Sequence, residues 1–203
     1  MKKRTILAGL VLFSFAGLTQ AALLTNGDFQ TGDLTGWINS DGNVTVTTGG
    51  GGNSVARLDG SGADDARLIQ KFDMDPAFGS HLNVQFDFKL NGNDYVSSDY
   101  FKSFVRLELD GGGSFSETII KVFNNTDGWQ HVVANIMYSG LDVAPPPNNA
   151  RVTFLLKGFI GDHSNAVLDN VVVNQVPVPA ALFMFAPALL GFMGLRRRAK
   201  NKT

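Results

Sequence analysis

The sequence predicts an all-β fold, an antiparallel sandwich or barrel of about nine strands. Short apolar runs recur, many with period two, and clusters of turn-forming residues separate them. The acids are 16 Asp against only two Glu, Glu108 and Glu117. Aspartate favours turns and caps while glutamate favours helix. The 23 Gly point the same way, and no stretch sustains a 3.6-residue period.

The clearest element is "LNVQFDFKL" at 82–90, where Leu82, Val84, Phe86, Phe88 and Leu90 share one face and polar residues the other. That is a half-buried strand. Before it come "VTVTT" (44–48), "SVARL" (54–58) and "ARLIQKF" (66–72). After it come "FVRLELD" (104–110), "ETIIKVF" (117–123), "WQHVVANIMY" (129–138), "ARVTFLLKGF" (150–159) and "AVLDNVVV" (166–173). The breaks are Gly49–Gly52, "DGSGADD", "NGND", "DGGGS", "NNTDG", "PPPNN" and "GDHSN". Runs at this spacing, divided by such residues, give many short strands rather than alternating strands and helices. Gly49–Gly52 reads as a loop tip.

The two ends of the chain have a different character. Residues 1–21 begin with Lys2, Lys3 and Arg4, continue with an apolar run from Ile6 to Leu18, and close on small and polar residues. This is the layout of a secretory signal peptide, with cleavage expected after Ala21 and Thr19 at the small −3 position. At the other end, "VPVPAALFMFAPALLGFMGLRRRAKNKT" (176–203) places a proline-rich start before 16 apolar or small residues, 180–195, and then three arginines. Sixteen residues make about 24 Å of helix, a marginal span for a hydrocarbon core of roughly 30 Å. Pro187 weakens that helix further. The arginines would stay on the cytoplasmic side, leaving the preceding domain outside the inner membrane.

This tail resembles the PEP-CTERM sorting signal in its VPxPA-type variant. The likeness rests on Val176, Pro177, Val178, Pro179 and Ala180, the apolar helix, and the cluster Arg196, Arg197 and Arg198. Val178 stands where the name-giving form has glutamate. The resemblance implies a Gram-negative bacterium, an exosortase-type membrane protease as partner, and cleavage close to Pro177–Pro179. It also implies delivery to the cell surface or an extracellular matrix of exopolysaccharide and biofilm.

Between the ends lies one domain, residues 22–175, with an extended linker expected over 174–179, "NQVPVP". Of the 17 Lys and Arg, eight lie in the two end segments, so nine remain against 18 acids, a net charge of −9. This balance argues against nucleic acid or an anionic membrane surface as partner, because both demand basic patches. No cysteine is present. The exported domain must stand on its core alone, or with a metal in place of disulfides.

The start "LLTNGDFQTGDLTGW" and the end "AVLDNVVVNQ", with "ARLIQKF" and "TDGWQHVV" between them, resemble the galactose-binding-like β-jelly roll of many carbohydrate-binding modules. The likeness implies two facing sheets with the chain ends close together. It also implies a structural calcium site joining the first and last strands. Asp28 and Gln30 belong to the start motif, which carries glutamate where this chain has Gln30, and Asp169 matches a carboxylate ligand. Calcium takes six to eight hard oxygens, and a neutral glutamine weakens such a site.

For sugar binding the candidates are an aromatic plate with polar neighbours. Trp37, Trp129, Tyr95, Tyr100 and Phe78 supply aromatics, but both tryptophans read better as core. Asn93, Asp94, Tyr95, Asp99 and Tyr100, in the polar connection "NGNDYVSSDYF", are the leading ligand contacts, since loops on rigid scaffolds collect binding residues. Catalysis finds little support. His81, His131 and His163 are isolated, Asp64–Asp65 reads as a turn, and there is no HExxH, G-x-S-x-G or phosphate-loop motif. The expectation is an exported, non-catalytic protein that binds extracellular polysaccharide. The alternatives are a structural matrix protein without sugar binding and a glycan-processing enzyme.

Overall fold

The computed structural model describes residues 22–49, 51–60, 65–75, 81–92, 100–108, 113–138, 149–157 and 165–176. The expected signal peptide, the C-terminal helix and Arg196–Arg198 lie outside these residues. Ten strands follow one another: β1 (Ile38–Asn39), β2 (Val44–Thr48), β3 (Ser54–Asp59), β4 (Ala66–Asp73), β5 (His81–Asn91), β6 (Tyr100–Glu108), β7 (Ser114–Val122), β8 (Gln130–Met137), β9 (Asn149–Lys157) and β10 (Asn165–Val176). They form two five-stranded sheets, β1-β4-β9-β6-β7 and β2-β3-β10-β5-β8, and every pairing is antiparallel. The architecture is a β-sandwich of jelly-roll type, with no helix among the described residues.

All nine expected strands are present, and β1 is an addition too short to show an alternation. Burial alternates along β4, β5 and β6 as the period-two pattern requires. Strand β9, central in its sheet, is buried on both faces from Val152 to Leu156. Between the sheets the core is rich in aromatic rings. Phe154 meets Phe86 edge-on at 5.0 Å between centroids, and Phe88 stacks on Phe101 at 5.1 Å. Trp37 lies 5.5 Å from Phe29 and 6.2 Å from Phe154, its Nε1 donating to the Asn26 carbonyl at 3.0 Å. Offset and edge-on arrangements of this kind add to what the buried area contributes.

Two buried glutamines fasten chain segments that have no ladder of their own. Gln70 accepts from the Thr25 N–H and donates to its carbonyl, both at 2.8 Å. Gln175 does the same to Asp75, at 3.0 and 2.6 Å, and also donates to the Tyr138 hydroxyl at 3.0 Å. Each amide supplies the donor and acceptor that a neighbouring strand would otherwise provide. The linker expectation needs correction here: Asn174, Gln175 and Val176 belong to β10, and Gln175 is held inside by these bonds. The Leu23 N–H donates to the Val173 carbonyl at 2.9 Å, so the start of the domain lies beside its end.

Removing the ring at the centre of this core should be costly. Phe154→Ala is expected to lower unfolding free energy by about 3–5 kcal/mol. Chemical denaturation at unchanged m-value checks this.

Candidate functional site

Two places carry chemistry: the junction of the chain ends, and the outer face of the β1-β4-β9-β6-β7 sheet. At the junction the Val171 N–H donates to the Gly27 carbonyl at 2.8 Å. A Cβ at Gly27 would collide with the Val171 carbonyl, which is why glycine stands there. A register shift in the β10–β5 pairing falls between Asp169 and Val172, and Asn170 there adopts a left-handed φ of 51°. The bulge sets Asp169, only 4 % exposed, among polar partners.

Of the three candidate calcium residues, Gln30 and Asp169 both bond to Asn53, a partner that sequence reasoning missed because it lies 116 positions from Asp169, and Asp28 bonds to Gln30. Asn53 Nδ2 donates to Asp169 Oδ2 at 2.6 Å, and the Asn170 N–H donates to Asp169 Oδ1 at 2.7 Å. Gln30 Nε2 donates to the Asp28 carbonyl at 2.9 Å, to Asn53 Oδ1 at 2.6 Å and to the Ser54 carbonyl at 3.3 Å. One amide nitrogen therefore sits where three oxygens converge. As arranged, these residues do not fit calcium, which needs oxygens rather than N–H groups directed at it. Among the described residues no group of three or more His, Asp or Glu side chains is placed to hold a metal.

Burial pushes the Asp169 carboxyl above its ordinary range, and the nearby charges of Asp87 and Asp28 push it the same way; the hydrogen bonds from Asn170 and Asn53 oppose them. A carboxyl with a raised folded pKa binds its proton more tightly in the fold than in the unfolded chain. Its contribution to stability is present below the unfolded value of 3.8 and is lost as pH rises through the folded value.

Sheet order creates the second place. On β4, β9, β6 and β7 the outward positions carry Arg67, Lys71, Arg151, Lys157, Lys102, Arg106 and Lys121, seven of the nine Lys and Arg in residues 22–175. The pairings set Lys71, Arg151 and Arg106 side by side in one row, and Arg67, Leu155, Lys102 and Lys121 in another. Within these strands the outward acids are Asp73 and Glu108, both in the row at one end. Glu108 lies 3.8 Å from Arg151. The net charge of −9 therefore concealed a basic face, and the absence of basic patches inferred from it does not hold.

Three aromatic rings share this face. Lys121 Nζ sits 4.1 Å from the centroid of Tyr100 and 4.8 Å from that of Phe123, and Lys102 Nζ 5.0 Å from that of Phe104. Tyr100 is not in the loop to which the sequence assigned it but is the first residue of β6, with its ring 6.2 Å from Phe123. Asn93, Asp94, Tyr95 and Asp99 lie outside the described residues, as do Phe78 and His163. Thr153, between Ile69 and Phe104 in the middle row, is 2 % exposed, and its Oγ1 has no hydrogen-bond partner. The Nε atoms of Arg106 and Arg151 are likewise buried without one.

The opposite outer face is largely neutral. Asn83, Gln85 and Asn135 bond to one another, Asn91 to Asn165, and Asp87 holds both Asn170 and His131. The tryptophans part company. Trp37 is core as expected, but Trp129 is 49 % exposed, so core packing does not account for it.

No family model matches the chain, and no curated protein sequence does. Solved structures do match. The xylan-binding CBM22-1 domain of Paenibacillus barcinonensis Xyn10C is 14 % identical with a TM-score of 0.53, over 78 % of this chain and 97 % of that domain. TmCBM61, solved with β-1,4-galactotriose, is 15 % identical with a TM-score of 0.50, over 76 % and 99 %. The active domain of bacteriophage CBA120 tailspike protein 4 reaches 19 % identity and a TM-score of 0.53, but this chain spans only 21 % of its length. The fold is thus that of carbohydrate-binding modules, which it matches over nearly their whole length.

Two outcomes follow for the junction. Gln30→Glu would direct a carboxylate at three oxygens. Its melting temperature should fall in chelator and rise roughly 5–10 °C at a hundredfold excess of calcium over Kd, with the parent unmoved. Asp169→Asn should be more favourable relative to the parent at pH 7 than at pH 3, read from melting temperatures at both.

Proposed function

We propose that this is an exported, non-catalytic protein that binds extracellular polysaccharide through the outer face of the β1-β4-β9-β6-β7 sheet. The observation that carries this reading is the face itself. Tyr100, Phe104 and Phe123 stand among hydrogen-bonding and cationic side chains on a rigid sheet. Rings flanked by polar groups are how proteins grip the faces and hydroxyls of sugars. The near-complete coverage of CBM22-1 and TmCBM61 supports it, because those proteins are themselves modules for xylan and galactotriose. A glycan-processing activity is less well supported. The enzymes in the comparison, such as the MgGH51 arabinofuranosidase, are matched over 26 % of their length.

The export signal at 1–21 and the sorting tail at 176–203 complete the proposal. The tail would hold the protein at the inner membrane until an exosortase-type protease cuts near Pro177–Pro179 and releases it to the surface or matrix of a Gram-negative cell. Val176 closes β10, so the expected cut would fall just beyond the last described strand.

One observation favours a second reading, a structural matrix protein. Strand β8 is at a sheet edge, and Trp129, just before it, with Val133 and Met137 in it, is exposed. An open edge with apolar side chains is suited to pairing with another protein.

Titration calorimetry of the full chain against the source cell's exopolysaccharide should give saturable heat. Tyr100→Ala should weaken binding about tenfold at unchanged melting temperature. Heat unaffected by the substitution would move the site elsewhere. Self-association in ultracentrifugation without glycan heat would favour the matrix reading. Intact mass of secreted protein should end near Pro179, and a mass that retains Arg196–Arg198 would refute processing.

A further inference from the structure

We infer that the glycan taken by this face carries negative charge, as a carboxylated or sulfated polysaccharide; the inference rests on the polysaccharide-binding reading above and adds the chemical class of the ligand. The arrangement of charge is its basis. A domain with twice as many acids as bases places seven of its nine Lys and Arg on one sheet face. Within that face, like charges stand directly opposite: Arg106 against Arg151, Lys71 against Arg151, and Lys102 against Lys121. Side chains opposite one another in a ladder are about 5 Å apart at Cβ, and like charges there oppose folding. Nothing in the fold itself requires that repulsion, since outward positions of the other sheet carry amides that bond to one another. A row of anions laid over the cations relieves it.

The chemistry of the individual groups agrees. Arginine offers a fork of donors suited to carboxylate or sulfate, and lysine a point charge. The rings of Tyr100 and Phe104 each carry a lysine ammonium over one face, which holds the cation in place beside a ring that a sugar would meet. Adjacent strands are about 4.8 Å apart, so the cations form rows across the sheet that suit a linear polyanion crossing the strands. Among polyanions a glycan fits better than nucleic acid. Bound single strands stack successive bases on a run of aromatic rings, and here three rings stand among seven cations. A duplex with one charge per about 1.7 Å would also meet the acids that dominate the rest of the domain.

The test is affinity electrophoresis and titration of the full chain with polygalacturonate, dextran sulfate, neutral β-1,4-galactan, neutral xylan and duplex DNA, at low and high salt. The expected result is binding to the two acidic glycans and not to the neutral ones, weakened by salt. Arg106→Gln with Arg151→Gln should reduce it by roughly tenfold or more per arginine. The melting temperature of that variant should be unchanged or higher, because repulsion has been removed. If it fails to fold, Lys102→Gln with Lys121→Gln serves the same purpose. Equal binding of neutral and acidic glycans, indifferent to these substitutions, overturns the anionic ligand and leaves polysaccharide binding standing. No binding of these glycans or of the source cell's own exopolysaccharide overturns both readings. DNA bound more tightly than acidic glycan and lost in the arginine variant assigns the face to nucleic acid instead. Low-salt self-association abolished by the same variant assigns it to a second copy of the chain.

Discussion

Everything on the outside of this domain depends on how firmly its two sheets are held from within. The edge-on contact of Phe154 with Phe86 joins the central β9 of one sheet to β5 of the other, and Phe101, Phe88 and Trp37 extend the packing around it. With no cysteine in the chain, no covalent tie shares the task. The benefit is a core that leaves the outward side chains free to serve the surface. Each strand then presents a row whose composition is independent of the interior, and the two outer faces could diverge, one toward amides and one toward cations.

Much of the fold was legible because a strand that buries one face must alternate, and alternation survives in one dimension. "LNVQFDFKL" declared itself that way, and its eight companions did so by alternation or as short apolar runs. Strand β1 did not, since two residues hold no period. Tyr100 was misplaced for a related reason: "DYFKS" gives few apolar residues from which to judge where a strand begins, and the pairing of Tyr100 with Lys157 and of Phe101 with Leu156 extends β6 backwards. The glutamine clamps were also invisible, because a Gln on the inward phase looks like a lapse in the pattern until its backbone partner is known. Gln70 and Gln175 are such lapses, and both serve to hold distant backbone.

The candidate site was less legible than the fold. Its cations come from four runs spread over residues 67 to 157, and only the strand order β4-β9-β6-β7 brings them together. Net charge, a sum over the whole chain, erased the segregation. A signal did exist: in "ARLIQKF" the basic residues Arg67 and Lys71 occupy the polar phase, and Arg106, Lys121 and Arg151 do so in their own runs. What one dimension lacked was the order in which those runs become neighbours. Trp129 illustrates the same limit, since its identity favoured the interior and only the edge position of β8 explains its exposure.

The latch at the chain ends has a consequence of its own. Gln30, with its amide nitrogen among the carbonyls of Asp28 and Ser54 and the side chain of Asn53, ties the amino-terminal segment to β3 with groups that belong to the chain. A tie of that kind cannot be leached away. Polysaccharides rich in carboxylates bind divalent ions, and in a dense gel of them the free concentration of such ions falls. A junction closed by its own amide would, in such a gel, hold without drawing on those ions.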